Sequence, residues 1–229
     1  METRRWVVEV NQALLGKNTE LAAQNRLRFH AQRLLVLNVL SAPGSGKTAL
    51  LERTLSDLRG RIRMGVQVGD LQTDNDARRL SERGAPVVQI VTGGCCHLDA
   101  SMIAQANEKF DFDAIDLLII ENVGNLVCPA SYDLGEDLRV VLLSVTEGED
   151  KPLKYPVMFR KADLVLITKL DLADAAGADM GALRENVRRT APMAAVLELS
   201  ARSGVGLEAW YDFLQNAVRA NQNAAQESH

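Results

Sequence analysis

The 229-residue sequence predicts an α/β fold, a mostly parallel sheet with helices on both faces. Three observations predict it. Short, near-continuous apolar runs alternate along the chain with segments of helical composition, and such runs suit strands buried on both faces. A glycine-rich turn separates the first run from the first helix after it, which is the setting a phosphate-binding loop requires. Apolar residues make up 47% of the chain and charged residues 24%, enough for the core of one α/β domain.

Residues 1–33 are net basic, whereas the remainder is acidic. Asn18–Arg33 has few β-branched residues and reads as a helix, so 1–33 forms an N-terminal arm packed on the domain edge. The domain proper spans 34–218. Leu34–Leu40 is its first strand, and the helix after the glycine-rich turn covers Lys47–Leu58. Ile62–Val68 reads as a strand and Asp74–Arg83 as a helix. Val87–Val91 is a short strand and Leu98–Lys109 a helix. Ile115–Glu121, Leu138–Val145 and Leu164–Thr168 are further strands. Asp179–Arg189 is helical, Ala194–Leu199 is a strand, and Gly206–Val218 closes the fold. Residues 219–229 read as a polar tail that frays. No internal repeat or low-complexity linker divides the chain.

Lys and Arg total 26 against 30 Asp and Glu, a net charge of -4, which argues against broad coating of nucleic acid. The apolar stretch after Arg4 and Arg5 is interrupted by Glu9 and Asn11, too early for a signal-peptide core. No run of about 18 apolar residues occurs, so no membrane insertion is expected. Three cysteines, Cys95, Cys96 and Cys128, cannot all pair within the chain and fit a reducing, cytoplasmic setting.

Ser41-Ala42-Pro43-Gly44-Ser45-Gly46-Lys47-Thr48 is the phosphate loop. Gly44, Ser45 and Gly46 let successive backbone N–H groups converge on phosphate, and the helix N-terminus adds its positive end. Lys47 reaches the β- and γ-phosphates, and Thr48 offers a hydroxyl to Mg²⁺. Ser41 stands where the usual pattern has glycine. Asp70, directly after the second strand, either approaches Mg²⁺, directly or through water, or serves as a turn aspartate. Glu121 ends a central strand and is either a Mg²⁺-shell group or a water positioner. Gly124, three residues on, can sense the γ-phosphate through its N–H.

Lys169-Leu170-Asp171 follows another buried strand. A carboxylate at Asp171 accepts two hydrogen bonds from guanine, a donor pair that adenine lacks, while the Lys169 stem lies along the ring. Thr168 stands where the common guanine motif has Asn, so guanine preference is expected to be kept but loosened. Ser200 and Ala201, after the last strand, offer backbone N–H groups to the guanine carbonyl. Further back, Cys95-Cys96-His97 lies between a strand and a helix, and Cys128 follows Glu121 by seven residues. Two thiolates and an imidazole suit Zn²⁺ or Ni²⁺. Three ligands leave a tetrahedral site open, to be completed by water, Cys95 or a second subunit.

These residues make the chain resemble the HypB family, the nickel-incorporation GTPases of NiFe-hydrogenase maturation. The resemblance runs from about Asn18 to Phe213. It rests on Pro43–Thr48, on Gly69-Asp70-Leu71-Gln72-Thr73 with Asp76-Ala77, on Cys96-His97-Leu98-Asp99-Ala100, and on Glu121-Asn122-Val123-Gly124-Asn125-Leu126-Val127-Cys128-Pro129. It implies a P-loop NTPase fold of the SIMIBI class and slow hydrolysis of GTP to GDP with Mg²⁺, served by Lys47, Asp70 and Glu121. It implies Cys96, His97 and Cys128 as ligands for Ni²⁺ or Zn²⁺ at the interface of a nucleotide-dependent homodimer. Its implied partners are a small zinc-containing hydrogenase accessory protein and the large subunit of NiFe-hydrogenase or its maturation complex. Some members carry an N-terminal Cys-rich or His-rich nickel motif; here no cysteine precedes Cys95 and only His30 lies in that region. The offset from Glu121 to Cys128 suggests a GTP-driven metal switch. A nucleotide-regulated metal-binding scaffold without turnover, and a generic P-loop kinase, are the alternatives.

Overall fold

The computed structural model describes residues 10–72 and 74–227. Among these residues seven strands form one sheet: β1 (Leu35–Ser41), β2 (Met64–Asp70), β3 (Val87–Val91), β4 (Leu117–Glu121), β5 (Leu138–Ser144), β6 (Leu164–Thr168) and β7 (Ala195–Glu198). Their order is β3-β2-β4-β1-β5-β6-β7. Every pairing among the described residues is parallel, so the expected "mostly parallel" sheet is entirely so. β1, β4 and β6 are buried along their whole length, which is why their sequences run apolar without alternation.

The helices are α1 (Val10–Ala31), α2 (Lys47–Asp57), α3 (Asn75–Ser81), α4 (Ala100–Asn107), α5 (Lys151–Lys154), α6 (Pro156–Arg160), α7 (Met180–Thr190) and α8 (Leu207–Glu227). One face of the sheet packs α2, α3 and α8 through a core that includes Leu51, Leu80 and Trp210. The opposite face carries α1 and α4 through Phe29 and Ile103, and α6 and α7 through Phe159 and Val187.

Several boundaries differ from the sequence expectation for local reasons. α1 begins eight residues earlier, at Val10 rather than Asn18. α4 starts at Ala100 because the Asp99 side chain caps it, accepting from the N–H groups of Ser101 and Met102. The short helices α5 and α6 were not expected; each opens on or beside a proline, Pro152 or Pro156, in the first turn where its missing N–H costs nothing. The segment 219–229, expected to fray, continues α8 as helix to Glu227. Apolar residues from Leu207 to Val218 fix the helix on the sheet, and polar residues extend it from there. Among the described residues no helix is long and apolar enough to cross a membrane.

The register brings the chemistry to one edge. Val39 of β1 pairs with Glu121 of β4, and Val68 of β2 with the same Glu121. The carboxyl ends of β1, β2 and β4 therefore deliver Ser41, Asp70 and Glu121 to a common rim, where open parallel sheets place their ligands. Beneath it, the Trp210 indole N–H donates to Thr54 Oγ1 at 2.9 Å, tying α8 to α2 through two fully buried residues. Thr54→Val leaves that N–H unpaired and is expected to cost about 1–3 kcal/mol, read as a shift of the urea midpoint at unchanged slope.

Candidate nucleotide and metal site

The P-loop joins β1 to α2. Gly44 and Gly46 have φ of 77° and 98°, values that favour glycine, and Gly46 stands at the N-terminus of α2. Ser45 is pinned from outside the loop, its hydroxyl 2.6 Å from Glu147 Oε1. The Lys47 ammonium turns back onto the loop and donates to Ser41 Oγ at 3.0 Å. The serine that replaces the usual leading glycine thus holds the lysine. Burial depresses the Lys47 pKa, opposed by the nearby carboxylates Glu121, Asp76, Glu147 and Asp70.

Thr48 Oγ1 donates to Glu121 Oε1 at 2.7 Å, and Glu121 Oε2 is buried with no hydrogen-bond partner. Burial pushes the Glu121 carboxyl up to about 7, against the pull of Lys47 and the Thr48 hydrogen bond. Lys47, Thr48, Asp70, Glu121 and Gly124 line one cavity of about 410 Å³. Asp76 and Arg79 of α3 also face it; the sequence reading quoted Asp76 without assigning it a role and passed over Arg79. Asp70 accepts a hydrogen bond from the Gln72 N–H at 2.9 Å, so its turn role and its place in the cavity coexist. A hydroxyl and two carboxylates, one with an oxygen left over, are a donor set that suits Mg²⁺. Gly124 approaches the P-loop so closely that a Cβ there would lie 2.9 Å from Pro43 Cα.

A second cavity, about 240 Å³, adjoins the loop and is lined by Ser45, Gly46, Thr168, Lys169, Asp171, Ser200, Ala201 and others. Thr168 Oγ1 donates to the Ser45 carbonyl at 2.8 Å, so the hydroxyl that replaces the usual amide ties β6 to the P-loop. Asp171 Oδ1 accepts from the Ser200 hydroxyl at 2.5 Å, which joins the two halves of the predicted base pocket.

The thiols lie past Gly124. After β3, Gly93 and Gly94, both with positive φ, turn the chain into Cys95-Cys96-His97. Cys96 and Cys128 Sγ are 2.9 Å apart, beyond the about 2.05 Å of a disulfide. His97 Nδ1 is 3.9 Å from Cys96 Sγ, and one donor atom from each of the three residues falls within 4.8 Å of the others. The His97 ring stacks on Tyr132 at 3.9 Å. Partial burial lowers its pKa, favouring the neutral imidazole that ligates metals. Contact with Cys96 holds the Cys128 thiol above its usual range. Cys95 is exposed and stands outside this group.

Asn122, unassigned in the sequence reading, ties these parts together. Its Oδ1 accepts from the N–H groups of Leu98 and Val123, and its Nδ2 donates to Asn38 Oδ1 at 3.2 Å. Asn38 in turn donates to Glu136, which Arg139 pairs at 2.7 Å. Asn125 Nδ2 donates to the Cys96 carbonyl at 3.2 Å. The available signal was Asn38, a polar residue inside an otherwise apolar buried run.

The family model for the CobW/HypB/UreG nucleotide-binding domain matches residues 35–198. The hydrogenase maturation factor HypB of Azotobacter vinelandii is 49% identical over 225 residues, covering 96% of this chain and 74% of the relative. The chain belongs to the HypB family. The crystal structure of HypB from Helicobacter pylori in complex with nickel superposes with a TM-score of 0.85 at 44% identity, covering 90% of this chain and 96% of that one. That of HypB from Archaeoglobus fulgidus gives 0.83 at 41% identity, covering 89% and 99%. The fold is that of the P-loop GTPases of the SIMIBI class.

In this HypB-family site the folded chain holds a proton on Glu121 between about pH 4.5 and 7, where the unfolded carboxyl has released it. The stability that the group contributes therefore falls as pH rises through that window and levels off above it. Glu121→Gln keeps an oxygen for Thr48 and removes the titration. Without nucleotide, the variant is expected to gain on the order of 3 kcal/mol relative to wild type between about pH 5 and 8, by urea denaturation.

Proposed function

We propose that the chain is a GTP-hydrolysing metallochaperone that assists nickel insertion into NiFe-hydrogenase. The observation that carries the reading is the single segment from Glu121 to Cys128. At one end Glu121 is bonded to P-loop Thr48, and at the other Cys128 lies against Cys96. The nickel-bound relative of the same fold supports the metal as cargo.

Each residue has a part. The P-loop N–H groups and Lys47 receive the β- and γ-phosphates. Asp171 selects guanine, with Ser200 and Ala201 closing over the base and Lys169 lying along it. Thr48, Asp70 and Glu121 would hold Mg²⁺, which would supply neutralisation of the charge that develops in phosphoryl transfer. Gly124 is close enough to the P-loop to respond to the γ-phosphate. Cys96, His97 and Cys128 supply three ligands to Ni²⁺ or Zn²⁺, and a second copy of the chain, bound in a nucleotide-dependent homodimer, completes the site. Loss of the γ-phosphate shifts the segment that carries Cys128 and changes how the metal is held. The metal then passes to a small zinc-containing accessory protein and to the hydrogenase large subunit. The reduced thiols fit the cytoplasm.

The test is metal analysis and GTP turnover on the same purified protein. Wild type is expected to retain one Ni²⁺ or Zn²⁺ per shared site and to release phosphate slowly. Cys96→Ala and Cys128→Ala should lose the metal while keeping GDP affinity, and Lys47→Ala should lose turnover at least a hundredfold. Metal retained by both cysteine variants rejects the cradle. Full partner activation by a turnover-dead Lys47→Ala supports a scaffold instead.

A further inference from the structure

α1 lies before residue 35, where the family match begins, yet it is bonded to both segments that carry the metal ligands. Asn18 and Asn25 are seven positions apart and so share a face of the helix. Both are buried, at 7% and 4% exposure. Asn18 Oδ1 accepts from the Ala100 N–H at 2.8 Å, and its Nδ2 donates to the Asp133 carbonyl at 2.8 Å. Asn25 Nδ2 donates to the Ala100 carbonyl at 2.9 Å and to the Leu134 carbonyl at 3.1 Å. Each side chain therefore bridges the same two stretches of backbone. Ala100 lies three residues beyond His97, and 133–134 lies five and six beyond Cys128.

Other contacts fix α1 against the second stretch. Arg26 pairs with Asp133 at 2.8 Å. Gly135 sits so close to the helix that a Cβ there would lie 2.7 Å from the Ala22 carbonyl and 2.8 Å from Asn25 Cβ. The bonds from Asn122 and Asn125 to the Cys96–Leu98 loop come from the 121–128 segment, which the proposed function makes responsive to nucleotide. Those from α1 come from an element of which no described side chain lines the P-loop cavity or the base pocket.

We propose that Asn18 and Asn25 are positioning residues that set the spacing between Cys96–His97 and Cys128, with α1 as the fixed anchor against which the nucleotide-responsive segment moves. This rests on reading the triad as a metal site. An asparagine whose amide joins two separate backbones holds their distance in a way that apolar packing, which tolerates sliding, does not. The chemistry affected is soft-metal ligation by two thiolates and an imidazole, in which ligand spacing decides whether one ion reaches all three.

The test is Ni²⁺ titration of the full chain, read by the thiolate-to-nickel absorption band, with GDP affinity measured in parallel. Asn18→Ala and Asn25→Ala are expected to weaken Ni²⁺ binding at least tenfold and to shift or diminish the band, with GDP affinity within twofold of wild type. Asn18→Asp keeps the acceptor for the Ala100 N–H and should fall between wild type and Asn18→Ala. It also serves as the readable variant if an alanine variant does not fold. Unchanged nickel affinity and band in the folded variants overturn the proposal. So does a loss of GDP affinity equal to the loss of nickel affinity, which marks a general structural role. A wild-type chain that binds no nickel through Cys96 and Cys128 overturns the metal reading, and this inference with it.

Discussion

The hydrogen bond from Thr48 to Glu121 is the contact on which the rest depends. It joins the first turn of α2 to the last residue of β4, so the P-loop and the segment beyond β4 share one boundary. The bond exists because the register of the parallel sheet sets Glu121 beside Val39 and Val68, two buried positions that leave the carboxyl nowhere to go but the rim. From that rim the chain passes through Gly124, in contact with Pro43, to Cys128. In the proposed reading, a nucleotide that takes over Thr48 or Glu121 acts on the chain that ends at Cys128, one of the three candidate metal ligands.

The electrostatics point the same way. Lys47 and Glu121 are buried at 9% and 3% exposure, and burial drives both toward their neutral forms. A lowered Lys47 and a raised Glu121 side by side in a polar cleft suit a ligand that brings both anionic and cationic groups. A nucleoside triphosphate with its divalent cation is such a ligand: phosphate would favour the Lys47 ammonium, and the cation would favour the Glu121 carboxylate. The proposed coupling needs no long relay, because Glu121 is itself the first residue of the segment that ends at Cys128.

Much of this was legible in the sequence, for reasons specific to each element. β1, β4 and β6 announced themselves because burial on both faces leaves no polar alternation to confuse the reading. The P-loop was legible because its glycines and Lys47 have one common use between a strand and a helix. Cys96, His97 and Cys128 were legible as residue types, and the fold brought them together. Asn18, Asn25 and Asn122 were not, because an asparagine's role lies in which backbone it meets, and apart from Val123 beside Asn122 those partners are 24 to 115 residues away in sequence. Thr168 reads as a departure from a motif, yet its hydroxyl reaches the Ser45 carbonyl, a contact that only the tertiary structure reveals. The helix through Glu227 was missed because polar composition says little about a helix already started by Leu207–Val218.

The central claim is that one segment, Glu121 to Cys128, makes metal binding depend on the nucleotide. The direct measurement is the Ni²⁺ affinity of the wild-type chain loaded with GDP and with a non-hydrolysable GTP analogue, at matched protein concentration and with oligomeric state recorded for each. The account predicts different affinities, and a difference in self-association between the two nucleotide states. Equal nickel affinity and equal oligomeric state in both would contradict it.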